Sequence, residues 1–189
     1  MAASVFAPCY IGGWSACEHW ELTDQVFRGV VVMTARPLRA TELEVQGTAF
    51  RLKHVPEDLH FGTRTVWRDR TRVEVSDPTR TLIDVLDDPR LGGGIRHVSA
   101  VVREYLAGTH RDERRLLDYG DRLGNRTVFK RLGFIIESLA LGSQSLVDAC
   151  RVRVSKGLSR LDPSVDSKGR VLKRWGLRVN VELSPEDPA

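Results

Sequence analysis

The period of the hydrophobic pattern changes at residues 76–78, and this change constrains the fold more than any other feature of the sequence. Before it, short runs are rich in β-branched residues or alternate apolar with polar side chains, which predicts strands. The expected strands cover residues 26–34, 48–55, 63–67 and 71–75, the last two forming a hairpin around residues 68–70.

After this point apolar residues recur at helical spacing. Asp77 is a candidate N-cap, and Pro78 suits the first helical position, where its missing N–H costs nothing. The predicted helices cover residues 77–86, 98–106, 113–123 and 127–141, with a further segment to 150, a short early helix at 14–20, and final strands at 170–173 and 177–183. Strands first and helices later, without βαβ alternation, predict an α+β fold, in which a small, mostly antiparallel N-terminal sheet is packed by helices from the C-terminal half.

Composition agrees with a globular protein. The chain has 189 residues, 41% hydrophobic and 29% charged, which favours one domain and argues against disorder. We expect that domain to span residues 1–183 and residues 184–189 to form a disordered tail. No apolar run approaches the ~18 residues of a membrane span, and the start lacks the basic residues of a secretory leader. Three cysteines without metal-ligand spacing favour a reducing cytoplasm.

The net charge is +4, and 24 of the 29 basic residues are arginines. Many of these crowd two consecutive predicted helices, where a basic stripe would neutralise phosphates. The stripe consists of Arg111, Arg114, Arg115, Arg122, Arg126, Lys130 and Arg131. The alternative is a solvated surface balanced by the acids at 112, 113, 118 and 121.

Asp77, Arg80 and Asp84 fall on one face of the predicted helix. One interpretation is an N-cap plus an ion pair that holds the helix on the sheet. The other is a metal-dependent nuclease site that also uses Glu42 and Glu44, although the sequence lacks the lysine that such a set requires.

No complete catalytic set emerges elsewhere in the sequence. The five histidines show no zinc-ligand spacing. The glycines at 92–94 lack the Gly-Lys-Ser/Thr end of a phosphate-binding loop, so they predict a turn. We therefore expect no catalytic residue, metal or cofactor.

Several strings, read together, resemble the C-terminal domain of the AbiEi family of antitoxins, which belong to the type IV toxin–antitoxin systems of bacterial abortive infection. Their order and spacing carry the resemblance, which runs from Pro8 to Val181. The strings are YIGGWSA at 10–16, LTDQ at 22–25, VSDPTRTLID at 75–84, DP at 88–89, GGI at 93–95, RLGF at 131–134, LDP at 161–163 and WGLRVNV at 175–181.

The resemblance implies a bacterial cytoplasmic protein that is not an enzyme. It implies a functional partner, a nucleotidyltransferase-like toxin, whose effect is opposed without a stable complex. Family members also repress their own operon through an N-terminal winged helix-turn-helix, which we expect to be absent here because nine residues precede Tyr10. Binding of operator DNA would then depend on the basic helices alone. An alternative interpretation is that the chain is a stand-alone DNA-binding module.

Residues that match the motif are expected to be scaffold: a packed indole, an arginine–aspartate pair and turns. They are Trp14, Asp77, Arg80, Asp84, Gly94 and Gly133, with Arg131 also part of the pattern.

Overall fold

The computed structural model describes residues 5–68, 71–166 and 168–187. In the N-terminal half, strands β1 to β6 form one mixed sheet in the order β3-β4-β2-β1-β6-β5. The strands are β1 Cys9–Ile11, β2 Val30–Thr34, β3 Glu42–Val45, β4 Thr48–His54, β5 Thr63–Arg68 and β6 Thr71–Ser76. The pairs β1–β2, β3–β4 and β5–β6 are antiparallel, whereas β1–β6 and β2–β4 are parallel.

Two hairpins account for four of the six strands. β3 and β4 are joined by Gln46 and Gly47, whose φ angles are 51° and 76°. Two consecutive positive φ angles match the twist of antiparallel strands, and this is why such turns favour glycine. The predicted pairing of β5 with β6 is confirmed, with six residue pairs from Thr63↔Ser76 to Arg68↔Thr71, whereas residues 69–70 of the predicted turn lie outside the described residues.

Six helices of seven residues or more lie in the described ranges. They are α1 Gly13–His19, α2 Pro78–Asp87, α3 Ile95–Ala107, α4 Glu113–Leu123, α5 Thr127–Ser138 and α6 Gln144–Arg151. Short 3₁₀ helices at Glu57–Leu59, Pro89–Gly92 and Lys173–Trp175 connect larger elements.

Helix α2 occupies the centre of the helical layer. It contacts α1, α3, α4 and α5, and all residues from Pro78 to Leu86 are buried. Burying apolar side chains such as Leu82, Ile83 and Leu86 stabilises the fold by roughly 1.5–3 kcal/mol each. The site described below is built on this helix because its polar residues are buried along with its apolar ones.

A second sheet closes the C-terminal end of the helical layer. Its order is β7-β9-β8, with β7 Ser159–Arg160, β8 Arg170–Leu172 and β9 Leu177–Val179. Residues 184–187, which we expected to belong to a disordered tail, instead form a turn whose Pro185 and Asp187 carbonyls accept hydrogen bonds from Arg103. Residues 188–189 of the expected tail lie outside the described residues.

The α+β class, with an N-terminal sheet packed by C-terminal helices, is confirmed. Across the three described ranges, no helix combines the length and the apolar character that crossing a bilayer requires.

Candidate functional site

The start of α2 is fixed by Asp77. Its Oδ1 accepts a hydrogen bond from the backbone N–H of Arg80 at 2.8 Å, and Pro78 follows in the first helical position, so the predicted N-cap is confirmed. Its other oxygen, Oδ2, accepts from the Tyr119 hydroxyl at 3.0 Å. Both carboxylate oxygens of Asp77 are therefore used in joining α4 to the beginning of α2.

One turn further, Arg80 and Asp84 form a buried ion pair with β1. Arg80 Nε lies 2.9 Å from Asp84 Oδ1, with side-chain exposures of 0% and 5%. Arg80 Nη2 donates to the Tyr10 hydroxyl at 2.8 Å, and that hydroxyl donates to Asp84 Oδ2 at 3.1 Å. The three side chains, which we call the Tyr10–Arg80–Asp84 cluster, link the middle of the sheet to the central helix.

Burial decides the electrostatics of this cluster. Desolvation raises the pKa of the Asp84 carboxyl, while the charges of Arg80 and Lys53 act in the opposite direction. Desolvation, with the Asp84 charge adding to it, raises the pKa of Tyr10 well above its ordinary value. The Arg80 guanidinium also lies 4.1 Å from the centre of the Phe61 ring, a cation–π contact that partly replaces lost hydration.

The acids that a nuclease would need are not assembled around a common point. Asp77 and Asp84 are engaged as just described, and Glu42 forms an ion pair with Arg51. Among the residues the structure describes, no three His, Cys, Asp or Glu side chains form a group able to hold a metal ion.

The residues of the predicted basic stripe fall into two classes according to their exposure. On α4 and beside it, Arg111, Arg114, Arg115 and Arg122 are exposed, and Arg126 is half-buried. Acidic neighbours pair with three of these side chains: Glu113 with Arg111, Asp112 with Arg115 and Asp121 with Arg126. Within the described ranges, Arg114 and Arg122 have no acidic partner, so they contribute the uncompensated charge.

Lys130 and Arg131 do not belong to this exposed stripe, which corrects the expectation from the sequence. Lys130 is 1% exposed, its Nζ donates to the Gly157 carbonyl at 2.9 Å, and desolvation lowers its pKa. Arg131 is 5% exposed. Helical spacing alone could not reveal this, because both residues lie on the face of α5 that the β7–β9 sheet covers.

Arg131 instead caps the C-terminal end of α2. It donates to the carbonyls of Leu86 and Asp87 at 2.7 and 2.8 Å, and to those of Leu161 and Arg160 at 3.0 and 3.1 Å. The last carbonyls of a helix have no partner within the helix and form the negative end of its dipole, so a buried guanidinium satisfies them well.

The remaining motif residues pack against one another. Trp14 Nε1 donates to the Gly29 carbonyl at 3.0 Å, and its ring stacks on Phe27 with 5.2 Å between centroids. Gly94, with φ of 94°, precedes α3, whose first N–H (Ile95) donates to Asp162 Oδ2 at 2.8 Å. The carboxylate of Asp162 therefore supplies the negative charge that the N-terminus of α3 favours.

A cleft of about 950 Å³ lies between the sheet and residues 88–94. Its basic side chains are neutralised by acids: Arg51 by Glu42, Lys53 by Asp87, and Arg90 by Asp88. The cleft therefore presents little uncompensated charge to a ligand.

The sequence pattern predicts the β5–β6 hairpin but not which of its side chains are exposed. Trp67 is 67% exposed, and the same hairpin carries the exposed arginines Arg64, Arg68 and Arg72. We call these four residues the hairpin surface. The signal was present in the sequence, where a strand-turn-strand pattern carries a tryptophan with arginines on both sides.

These features define an α+β protein that combines a mixed six-stranded sheet with a helical layer centred on one buried helix. Among solved structures, the chain is similar to the RV2827C protein from Mycobacterium tuberculosis, with a TM-score of 0.61 and 14% sequence identity over 93% of this chain. The match covers 64% of that structure's chain. At this identity the similarity shows a common fold alone. No protein-family model and no curated protein matches the sequence.

Proposed function

We propose that this protein is a non-enzymatic antitoxin of a type IV toxin–antitoxin system, which opposes a nucleotidyltransferase-like toxin. The observation that carries the proposal is that the strings resembling the AbiEi family meet in space although they are far apart in sequence. Tyr10 forms hydrogen bonds with Arg80 and Asp84, and Arg131 donates a hydrogen bond to the carbonyl of Leu161. Trp175 packs on Gly133, and Asp162 holds the helix that follows Gly94.

These contacts join the strings into one connected core, which is the scaffold role that the family resemblance implies for them. They also support a non-catalytic role. The charged motif residues are buried and bonded to one another or to backbone carbonyls, which leaves exposed residues to meet a partner. The exposed arginines of α4 are the strongest candidates for such contacts.

Co-expression tests the antitoxin proposal. The protein and the nucleotidyltransferase-like toxin encoded beside it are placed under separately induced promoters, and growth is measured with each alone and with both. We expect growth to recover when both are induced. Failure to recover, with the antitoxin folded and abundant by immunoblot and circular dichroism, would contradict the proposal. So would magnesium-dependent cutting of nucleic acid that Asp84→Asn abolishes without unfolding the protein.

Binding of operator DNA through α4 is the second part of the proposal. Arg114 and Arg122 are exposed and have no acidic partner among the described residues; the Arg122 guanidinium also lies 4.0 Å from the centre of the Phe61 ring, a contact that leaves its positive charge uncompensated by any acid there. If they contact phosphates, Arg114→Gln with Arg122→Gln makes the salt dependence of duplex binding less steep by about 0.9 per lost contact. Arg111→Gln is the matched control, because Glu113 already pairs with that side chain. An equal change in both variants would contradict a specific role for Arg114 and Arg122.

A further inference from the structure

The β5–β6 hairpin extends away from the rest of the sheet. Six residue pairs join its two strands, whereas β6 pairs with β1 at Ile11↔Val75 near the base of the hairpin. β1 accompanies β6 only along the base of the hairpin, and β5 is the edge strand of the sheet, with no further strand beside it in the described ranges. One face of this hairpin, which carries Arg64, lies against Trp20 at the end of α1, and the opposite face carries the exposed Trp67.

An exposed tryptophan lies near the end of this hairpin. Trp67 is 67% exposed, whereas the indole N–H groups of Trp14, Trp20 and Trp175 donate to Gly29, Ser76 and Glu137. Tryptophan normally buries its large ring, because that ring contributes strongly to core and interface energies. In the described residues the Trp67 N–H has no hydrogen-bond partner, so nothing local accounts for its position.

Arginines lie on both faces of the hairpin. The register places Arg72 directly opposite Trp67, so these two side chains share a face, on which Arg72 is ion-paired with Glu74 at 3.3 Å. Arg64 and Arg68 alternate with it and belong to the other face. Residues 63–76 contain four arginines and two acids, so the hairpin carries a positive excess.

A second group of rings joins the base of the hairpin to α1 and α4. The Arg64 guanidinium lies 5.3 Å from the centre of the Trp20 ring. Trp20 contacts His19 at 4.5 Å and His110 at 6.0 Å between ring centroids. The aromatic and basic character of the hairpin surface therefore continues toward the loop that precedes α4.

We propose that the hairpin surface binds single-stranded nucleic acid, with Trp67 stacking on an unpaired base and with Arg64 and Arg68, which have no acidic partner among the described residues, contacting phosphates. A positive groove or ridge combined with an exposed aromatic ring is the combination that single-strand binders use. The bases of a duplex are already stacked on one another, so a duplex offers Trp67 no ring face without unstacking. The arginine excess favours a polyanion over a neutral protein surface.

Fluorescence anisotropy tests the proposal with labelled oligo(U) and oligo(dT) of about 15 nucleotides, a length that covers one typical single-strand site. A duplex of equal length is the comparison. We expect tighter binding to the single strands than to the duplex. Trp67→Ala should weaken single-strand binding by about 5- to 150-fold, the range that corresponds to loss of one stacked base. Trp67→Phe keeps an aromatic face and should retain most of the affinity.

Charge variants separate phosphate contacts from stacking. Arg64→Gln with Arg68→Gln should make the salt dependence less steep by about 0.7 per lost contact, while the stacking contribution remains. Arg28→Gln with Arg170→Gln is the matched control, since both arginines are exposed and lie outside the hairpin. Quenching of tryptophan fluorescence on binding should be lost in Trp67→Phe although that variant still binds.

Single-strand binding that Trp67→Ala leaves unchanged would overturn the proposal, as would tighter binding to the duplex. Absence of binding even at about 50 mM salt would also overturn it, and an exclusive protein partner that depends on Trp67 would then be the better explanation. Circular dichroism and thermal melting of each variant exclude unfolding as the cause. The oligonucleotide assay contains no toxin, and the growth assay contains no added oligonucleotide. Failure of the hairpin proposal can therefore be distinguished from failure of the antitoxin proposal.

Discussion

Trp175 packs its indole directly against Gly133 of α5. A β-carbon at residue 133 would lie 2.2 Å from two carbons of that ring, far closer than van der Waals contact allows. Trp175 is fully buried and its Nε1 donates to Glu137 at 2.7 Å, so two residues of α5 one turn apart fix the ring against that helix. The α5 helix and the C-terminal sheet are thus fitted to one another at a single glycine.

Gly133→Ala should therefore destabilise the protein, although alanine is the better helix former by about 1 kcal/mol. Overpacking of this kind costs about 1–3 kcal/mol, and the very short distance places the expected loss toward the upper end. The free energy of unfolding from urea denaturation measures it. The cost should shrink in a Trp175→Leu background, and Ser138→Ala, on an exposed site of the same helix, should change little. Equal costs in both backgrounds would show that the ring is not the cause.

The Tyr10 hydroxyl should contribute more to stability than the Tyr119 hydroxyl. Tyr10 is 1% exposed and bridges two charged groups, so Tyr10→Phe should cost about 1–3 kcal/mol. Tyr119 is only half-buried and donates to Asp77 alone, so Tyr119→Phe should cost less. Both variants remove one oxygen atom and are compared by chemical denaturation. A larger loss at Tyr119 would contradict the importance assigned to the Tyr10–Arg80–Asp84 cluster.

Arg80→Ala should be a folding defect, because it leaves Asp84 buried without its cation. Losing one partner of a buried pair costs about 3–5 kcal/mol. In a double-mutant cycle with Tyr10→Phe the two losses should not add, since both side chains bond the same carboxylate. Additive losses would mean that the three groups do not act as a unit.

Arg131→Lys should destabilise the protein, even though the charge is kept. An ammonium cannot reproduce the flat fork that donates to four carbonyls. Leaving one or two of these buried carbonyls unsatisfied costs about 1–3 kcal/mol each. Arg114→Lys is the control, because that guanidinium is exposed and makes no ion pair or ring contact within the described residues. The reverse ranking in urea denaturation would contradict the capping role.

His97 should make stability depend on pH. A carbonyl can only accept, so Nδ1 donates to Gly92 at 2.6 Å and the neutral Nε2 accepts from the Thr23 hydroxyl at 2.7 Å. Desolvation lowers the pKa of His97 in the folded state below its ordinary value of 6.5, with the Gly92 hydrogen bond acting in the opposite direction. As the pH falls through 6.5, the unfolded chain therefore takes up a proton that the folded protein does not.

Protonation of this kind favours the unfolded state, so the free energy of unfolding should fall between about pH 7.5 and pH 5.5. His97→Gln should reduce that fall, and His54→Gln, on an exposed histidine, is the control. An identical pH profile for the wild-type protein and His97→Gln would contradict the assignment.

Local patterns predicted much of this fold. The Asp77–Pro78 helix start, the β5–β6 hairpin and the bounds of α4 follow from capping chemistry and periodicity, which act over a few residues. β1 was not predicted because three residues carry too little pattern, and its position depends on pairing with β2 and β6. β3 was not predicted because its alternating acids resemble a solvated loop.

The candidate site was harder to predict for the same reason. Helical spacing grouped Lys130 and Arg131 with the exposed arginines, but the packing of a distant sheet on α5 decides which of them meet water. The ion pair of Arg80 with Asp84 was one of the two sequence interpretations, whereas its third member, Tyr10, lies 70 residues from Arg80 and could not be found by local spacing. Trp67 was visible as a residue, but its exposure depends on how far the hairpin extends.

The position of β1 gives the amino-terminal end an importance that its length does not suggest. This first strand lies between β2 and β6, while Phe6 is buried and its carbonyl accepts from Thr34. Removing β1 would divide the sheet into a three-stranded and a two-stranded piece, each with a newly unpaired edge strand. It would also remove Tyr10 from its hydrogen bonds with α2. A truncation of only a few residues at this end would therefore remove an interior strand of the sheet.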